Sequence, residues 1–93
     1  MPNTPTLLDE AKTAMRLTKD AYNDEISRLI NAACLDLGIA GITATSTTTD
    51  ELIKQAIITY CRVNFGSPAD YDRIKASYDE QKAQMQTATG YGL

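Results

Sequence analysis

Histidine and tryptophan are both missing from this chain of 93 residues, and cysteine occurs only twice. Without histidine, no side chain has an ordinary pKa near neutrality, so the commonest general base and a His-anchored metal site are both excluded. Two cysteines without histidine do not make a zinc site. Cys34 and Cys61 fall on apolar helix faces and read as reduced, buried small residues, although the sequence alone leaves a disulfide between them open. No apolar run approaches the ~18–20 residues needed to cross a bilayer. The N-terminus, MPNTPTLLDEAK, has no basic n-region and no apolar h-region, so no signal peptide is expected and the protein should be made and kept in a cytoplasm. Basic residues are also outnumbered, and the net charge of −3 argues against tight nonspecific binding to nucleic acid. Such a surface would still let DNA pass without sticking. The five glycines stand at helix ends or in the tail, so there is no Gly-rich phosphate loop.

What is present is a helical pattern. At 43% hydrophobic and 23% charged residues, the composition is that of an ordinary soluble globular chain, and the length fits one small domain spanning residues 1–93. The stretch TTDELIKQAIITYCRVNFG, Thr48 to Gly66, is the expected central helix. Thr48 and Glu51 have the spacing of a capping box, while Gly66 and Pro68 mark its end. Ile53, Ala56, Ile57, Tyr60 and Cys61 make one face. Leu52, Ile58 and Val63 lie off that face, and a helix apolar most of the way round is buried or touches more than one neighbour.

Ahead of it, Met1–Pro5 reads as a flexible lead-in. Thr6 caps a short helix assisted by Asp9, with Leu8, Ala11 and Met15 on one face and an end near Arg16 or Leu17. The run NDEISRLINAACLDLG has the cleanest period: Ile26, Leu29, Ile30, Ala33, Cys34 and Leu37, with Asn31, Ala32 and Asp36 on the other side and Gly38 or Gly41 as terminator. The loop GITATSTTT reads as a solvated connector, with enough β-propensity to pair with another chain as a short edge. After the central helix, Ser67 and Pro68 open a last helix whose stripe is Tyr71, Ile74, Tyr78 and Met85. Weak pairs are expected between Asp72 and Lys75 and between Asp79 and Lys82. Residues 87–93, TATGYGL, read as a flexible tail. The fold class is all-α: a small four-helix bundle-like domain with short loops.

Catalytic chemistry finds no support. The acidic pairs Asp9–Glu10, Asp24–Glu25 and Asp50–Glu51 sit in first helical turns, where the helix dipole explains them. Adjacent residues, Asp79–Glu80 included, point about 100° apart on a helix and do not converge on one ion. No cofactor or metal is expected, and the chain reads as a non-enzyme. Arg62 is either a cation at a helix C-terminus or half of an intersubunit ion pair. Tyr60, Tyr71 and Tyr78 belong to the core or its edge, whereas Tyr22 and Tyr91 lie outside the stripes.

Taken together, LLDEAKTAMRL, DEISRLINAACLDLGIAGI, DELIKQAIITYCRVNFG and the tyrosine-bearing SPADYDRIKASYDEQKAQM resemble the small head–tail connector (adaptor, or DNA-packaging) proteins of tailed bacteriophages and prophages. The resemblance covers about residues 7 to 85 and rests on helix patterns rather than on a catalytic signature. It implies a homo-oligomeric ring, dodecameric on a portal, that extends the DNA channel beneath the portal protein and carries a neck or tail-completion protein. The location implied is the virion head–tail interface, with the host cytoplasm during assembly and no membrane. The implied subunit interface takes Ile58, Arg62, Val63 and Met85, and the implied portal-docking tail takes Thr87, Tyr91 and Leu93. The alternative is a small helical phage regulatory or nucleic-acid-binding protein, whose only cationic cluster would be Arg73, Lys75 and Lys82.

Overall fold

A computed structural model of the chain describes residues 6–45, 48, 50–65 and 69–87. The expectations for Met1–Pro5, Gly66, Ser67, Pro68, Tyr91 and Leu93 lie outside the described residues. Four α-helices are present among them, α1 (Leu7–Ala14), α2 (Asn23–Ile39), α3 (Glu51–Asn64) and α4 (Tyr71–Thr87), with a 3₁₀ turn at Asp20–Tyr22 leading into α2. No strand occurs among the described residues, which include 41–45 and 48 of the threonine-rich connector. The all-α bundle is therefore the architecture found.

Helix ends follow from side-chain chemistry. In α1 the Asp9 amide donates to Thr6 Oγ1 at 3.1 Å and the Thr6 amide donates to Asp9 Oδ2 at 3.2 Å, a reciprocal capping box. The helix stops at Ala14, earlier than the apolar pattern suggests, because Arg16 turns left-handed at φ 58°. That turn lets the Leu17 amide donate to the Lys12 carbonyl and the Arg16 amide to the Thr13 carbonyl. The end of α2 repeats the arrangement with the residue better suited to it. Gly41 takes φ 89°, Ile42 N–H donates to Leu37 and Gly41 N–H to Gly38. Gly41 is thus the terminator and Gly38 lies inside the helix.

The cap of α3 is a correction to the sequence reading. Asp50, not Thr48, is the N-cap, and its Oδ1 accepts from the amides of Leu52 at 2.9 Å and Ile53 at 3.3 Å. A full negative charge next to the first turn satisfies two orphaned donors and the dipole together. Thr48 stands two residues earlier and accepts from the Asp50 amide, holding the cap in place.

Packing is centred on α3, which lies against α1, α2 and α4, while α1 also packs on α2. Ile26 and Leu37 of α2, Ile57 and Cys61 of α3 and Ile42 from the connector are the largest fully buried side chains. Each large aliphatic side chain so buried stabilises by about 1.5–3 kcal/mol. Ile42 shows that the connector is not wholly solvated: its first residues fold back onto the core beside Leu37. The molecule is flat, 37 × 37 × 17 Å, so each helix keeps an outer face.

Candidate functional site

Ionisable groups converge across helices at the α2–α4 seam beside α3, and again where Lys54 of α3 pairs with Glu10 of α1 at 3.4 Å. Tyr78 is 3% exposed, and its hydroxyl donates a short hydrogen bond to the Asp36 carboxylate. Lys82 Nζ donates to the same carboxylate at 3.2 Å and lies 5.1 Å from the centre of the Tyr78 ring. The Tyr60 ring meets Tyr78 edge-on at 5.4 Å. Burial works against the Asp36 carboxylate, but the hydrogen bonds from Tyr78 and Lys82 outweigh it and hold its pKa below the ordinary value. The Tyr78 phenol is pushed well up, first by burial and then by donating to Asp36. Asp36, Tyr60, Val63, Asn64, Tyr71, Lys75, Tyr78 and Lys82 surround a hollow of about 240 Å³ here. That is smaller than the roughly 300 Å³ at which small-molecule pockets begin. The seam therefore fastens α4 to α2, with the Asp36 carboxyl shifted down and the Tyr78 phenol shifted up, both away from neutrality.

The cations of α4 are spoken for. Arg73 pairs with Asp70 at 2.8 Å, Lys75 with Asp79 at 3.0 Å and Lys82 with Asp36. The expected pairs Asp72–Lys75 and Asp79–Lys82 are not the ones formed. Lys75 and Asp79 have the favourable i, i+4 spacing, and Asp36 captures Lys82 from another helix. Three neutralised cations do not make a basic stripe for phosphates. No group of three or more cysteine, aspartate or glutamate side chains suited to a metal ion occurs among the described residues. Cys34 and Cys61 are both free thiols. Burial pushes the Cys61 thiol up to about 12, with a further contribution from Cys34.

The residues expected at a subunit interface separate into two groups. Val63 is 4% exposed on the α4 side of α3, and Met85 is 2% exposed in the main core. Both are covered by this chain's own helices. Ile58 is 8% exposed, but it floors a surface groove of about 430 Å³ between α1 and α3. Glu10, Thr13 and Ala14 form one bank of that groove, and Gln55, Thr59 and Arg62 form the other. Arg62 is exposed and makes no ion pair among the described residues. Thr87 closes α4, so it is helical rather than part of a tail, and its hydroxyl donates to the Ala83 and Gln84 carbonyls. Gln86 reaches across to donate to the Ala40 carbonyl, which sets the end of α4 beside the end of α2.

Two exposed apolar residues were missed by the sequence reading: Leu35, 71% exposed, and Ile39, 87% exposed. They are spaced i, i+4 on α2, and their directions oppose the Ile26–Ile30–Ala33–Leu37 stripe. That spacing on the wrong face was the available signal.

No helix among the described residues is long and apolar enough to cross a membrane. No curated protein and no solved structure matches the chain. The sequence profile of the family described as phage connector protein matches residues 7–92, which takes in α1 to α4, and the chain belongs to that family.

Proposed function

We propose that the protein is a head–tail connector (adaptor) of a tailed phage or prophage. It assembles as a ring beneath the portal protein, dodecameric when seated there, extends the DNA channel and presents a platform to a neck or tail-completion protein once DNA is packaged. The family match across residues 7–92 carries this reading. The chemistry is compatible with it: the fastened, pairwise-neutralised cations of α4 offer passing DNA nothing to hold, and the net charge of −3 keeps the phosphates off the wall. On this reading, Arg62 and the groove floored by Ile58 belong to the subunit contact, with Val63 and Met85 supporting it from within the protomer. The chain beyond Thr87, with Tyr91 and Leu93, meets the portal. The protein acts without cofactor or catalysis, in the virion neck after assembly in the host cytoplasm.

The test is genetic. A phage carrying a nonsense mutation in this gene should accumulate heads that package DNA, fail to receive tails and leak their genome. Normal yields of tailed, infectious particles would overturn the proposal. Salt-dependent binding of the purified protein to duplex DNA in a gel shift would instead favour the regulatory reading.

A further inference from the structure

We infer that the Leu35–Ile39 ridge of one copy seats in the α1–α3 groove of the next, so that a second copy of this chain is the occupant of both surfaces. This rests on the ring reading above and assigns its contact.

The two surfaces are complementary in form. Leu35 and Ile39 stand one turn apart on α2 as an apolar ridge, 71% and 87% exposed, with the exposed Gly38 beside them. The groove has an apolar floor in Ile58 and short side chains, Thr13 and Ala14, along one bank. A ridge of two branched aliphatic side chains leaves water on entering such a groove.

They also face the right way. At about 100° per residue, Leu35 and Ile39 point roughly opposite to the α2 residues that meet α3. Gln55, Thr59 and Arg62 likewise point roughly opposite to Ile53 and Ile57 on the buried stripe of α3, with Ile58 between the two sides at the groove floor. Ridge and groove therefore lie on opposite outer sides of the α2–α3 pair. A contact between unlike surfaces on opposite sides of a protomer is head-to-tail, and it closes into a ring when the rotation permits. Ridge against ridge would make only a two-fold dimer and leave the groove empty.

Charge agrees with this pairing. The ridge continues up the same outer face of α2 to Arg28 and Asp24, both exposed, and the groove carries Arg62 on one bank and Glu10 on the other. Glu10 already pairs with Lys54 of its own chain at 3.4 Å, whereas Arg62 has no partner among the described residues of its own chain, so the exposed Asp24 of the ridge face is the anion that complements it.

The experiment uses native mass spectrometry of the full chain over a concentration series, with circular dichroism to confirm folding. The ridge variant is Leu35→Lys with Ile39→Lys, two exposed positions in the C-terminal half of α2 where lysine suits the dipole. The groove variant is Thr13→Arg with Ala14→Arg, exposed positions that fill the groove from its α1 bank. Wild type should form closed rings, and each variant should remain folded and monomeric, with each substitution raising the half-assembly concentration at least about tenfold. An equimolar mixture of the two variants should give a one-to-one dimer and stop there, because only one intact ridge and one intact groove remain. Wild-type-sized rings from either variant, or self-association of the groove variant through its ridge, would overturn this contact while leaving the ring reading standing. A wild type that stays monomeric throughout would overturn both.

Discussion

The Tyr78 hydroxyl donates to the Asp36 carboxylate across 42 residues of sequence and ties α4 to α2. Lys82 supports the same carboxylate. Replacing Tyr78 by Phe keeps the ring against Tyr60 and deletes only the donor. The expected loss is about 1–2 kcal/mol, the lower part of the range for a hydrogen bond to a charged group, because Lys82 and solvent still reach Asp36. Urea denaturation checks it. In a double-mutant cycle with Lys82→Met the two losses should not add, since both act on one carboxylate.

The same carboxylate sets the acid behaviour. Its pKa is lower folded than unfolded, because the Tyr78 and Lys82 hydrogen bonds outweigh burial. The stability it contributes is therefore present above the unfolded value of about 4 and is lost as pH falls through the lower folded value. Urea midpoints measured from pH 6 to pH 2 should fall in acid, and Asp36→Asn should fall less steeply than wild type. An identical slope in the variant would assign the acid sensitivity to other groups.

Cys61 predicts the alkaline side. Its thiol is raised to about 12 in the folded chain, mainly by burial. A group raised on folding contributes stability below its unfolded pKa, about 8.5, and that contribution is lost as pH rises toward the folded value. Thiol labelling at pH 8 should modify Cys34, which is half-buried, well before Cys61, which should react only as the chain unfolds. Equal rates for the two would contradict the burial described.

Helix ends provide a third set of tests. Asp50→Ala should cost about 1 kcal/mol, as should Thr6→Ala, since each removes an N-cap. Thr48→Ala should cost less than Asp50→Ala, because Thr48 reaches only the Asp50 amide and no amide within α3. Thermal midpoints rank the three.

Arg16 is the converse case, a substitution that should stabilise. It holds φ 58° at the end of α1, where a side chain costs roughly 1–2 kcal/mol that glycine avoids. Part of that gain is offset by the greater freedom of glycine in the unfolded chain, so Arg16→Gly should gain less than about 1 kcal/mol. A lowered melting temperature would contradict the geometry.

Helices with strong period were readable from the sequence because burial and spacing agree there. Ile26, Ile30, Ala33 and Leu37 recur at helical intervals and are buried, as are Ile53, Ala56, Ile57 and Cys61. Caps were less legible where two candidates stood close together. Thr48 and Asp50 both precede α3, and the carboxylate prevails because it reaches two amides of the first turn. The long-range partners of Asp36 had no local signal, since Tyr78 and Lys82 arrive from another helix. The burial of two residues off the α3 stripe had no local signal either. Ile58 and Val63 lie off the main stripe of α3, yet α1 and α4 cover them. The most exposed large apolar residues among those described are Leu35 and Ile39, ahead of Leu52, on a helix whose main stripe drew attention away from them.

On the proposed function, this chain forms a ring coaxial with the portal. Electron cryo-microscopy of the purified protein mixed with the portal of its own phage tests it most directly. A closed ring of this chain is expected beneath the portal, its channel continuous with the portal channel and α2 of each copy against α1 and α3 of the next. Portal particles without added density, under conditions where the chain is folded and in excess, would contradict it.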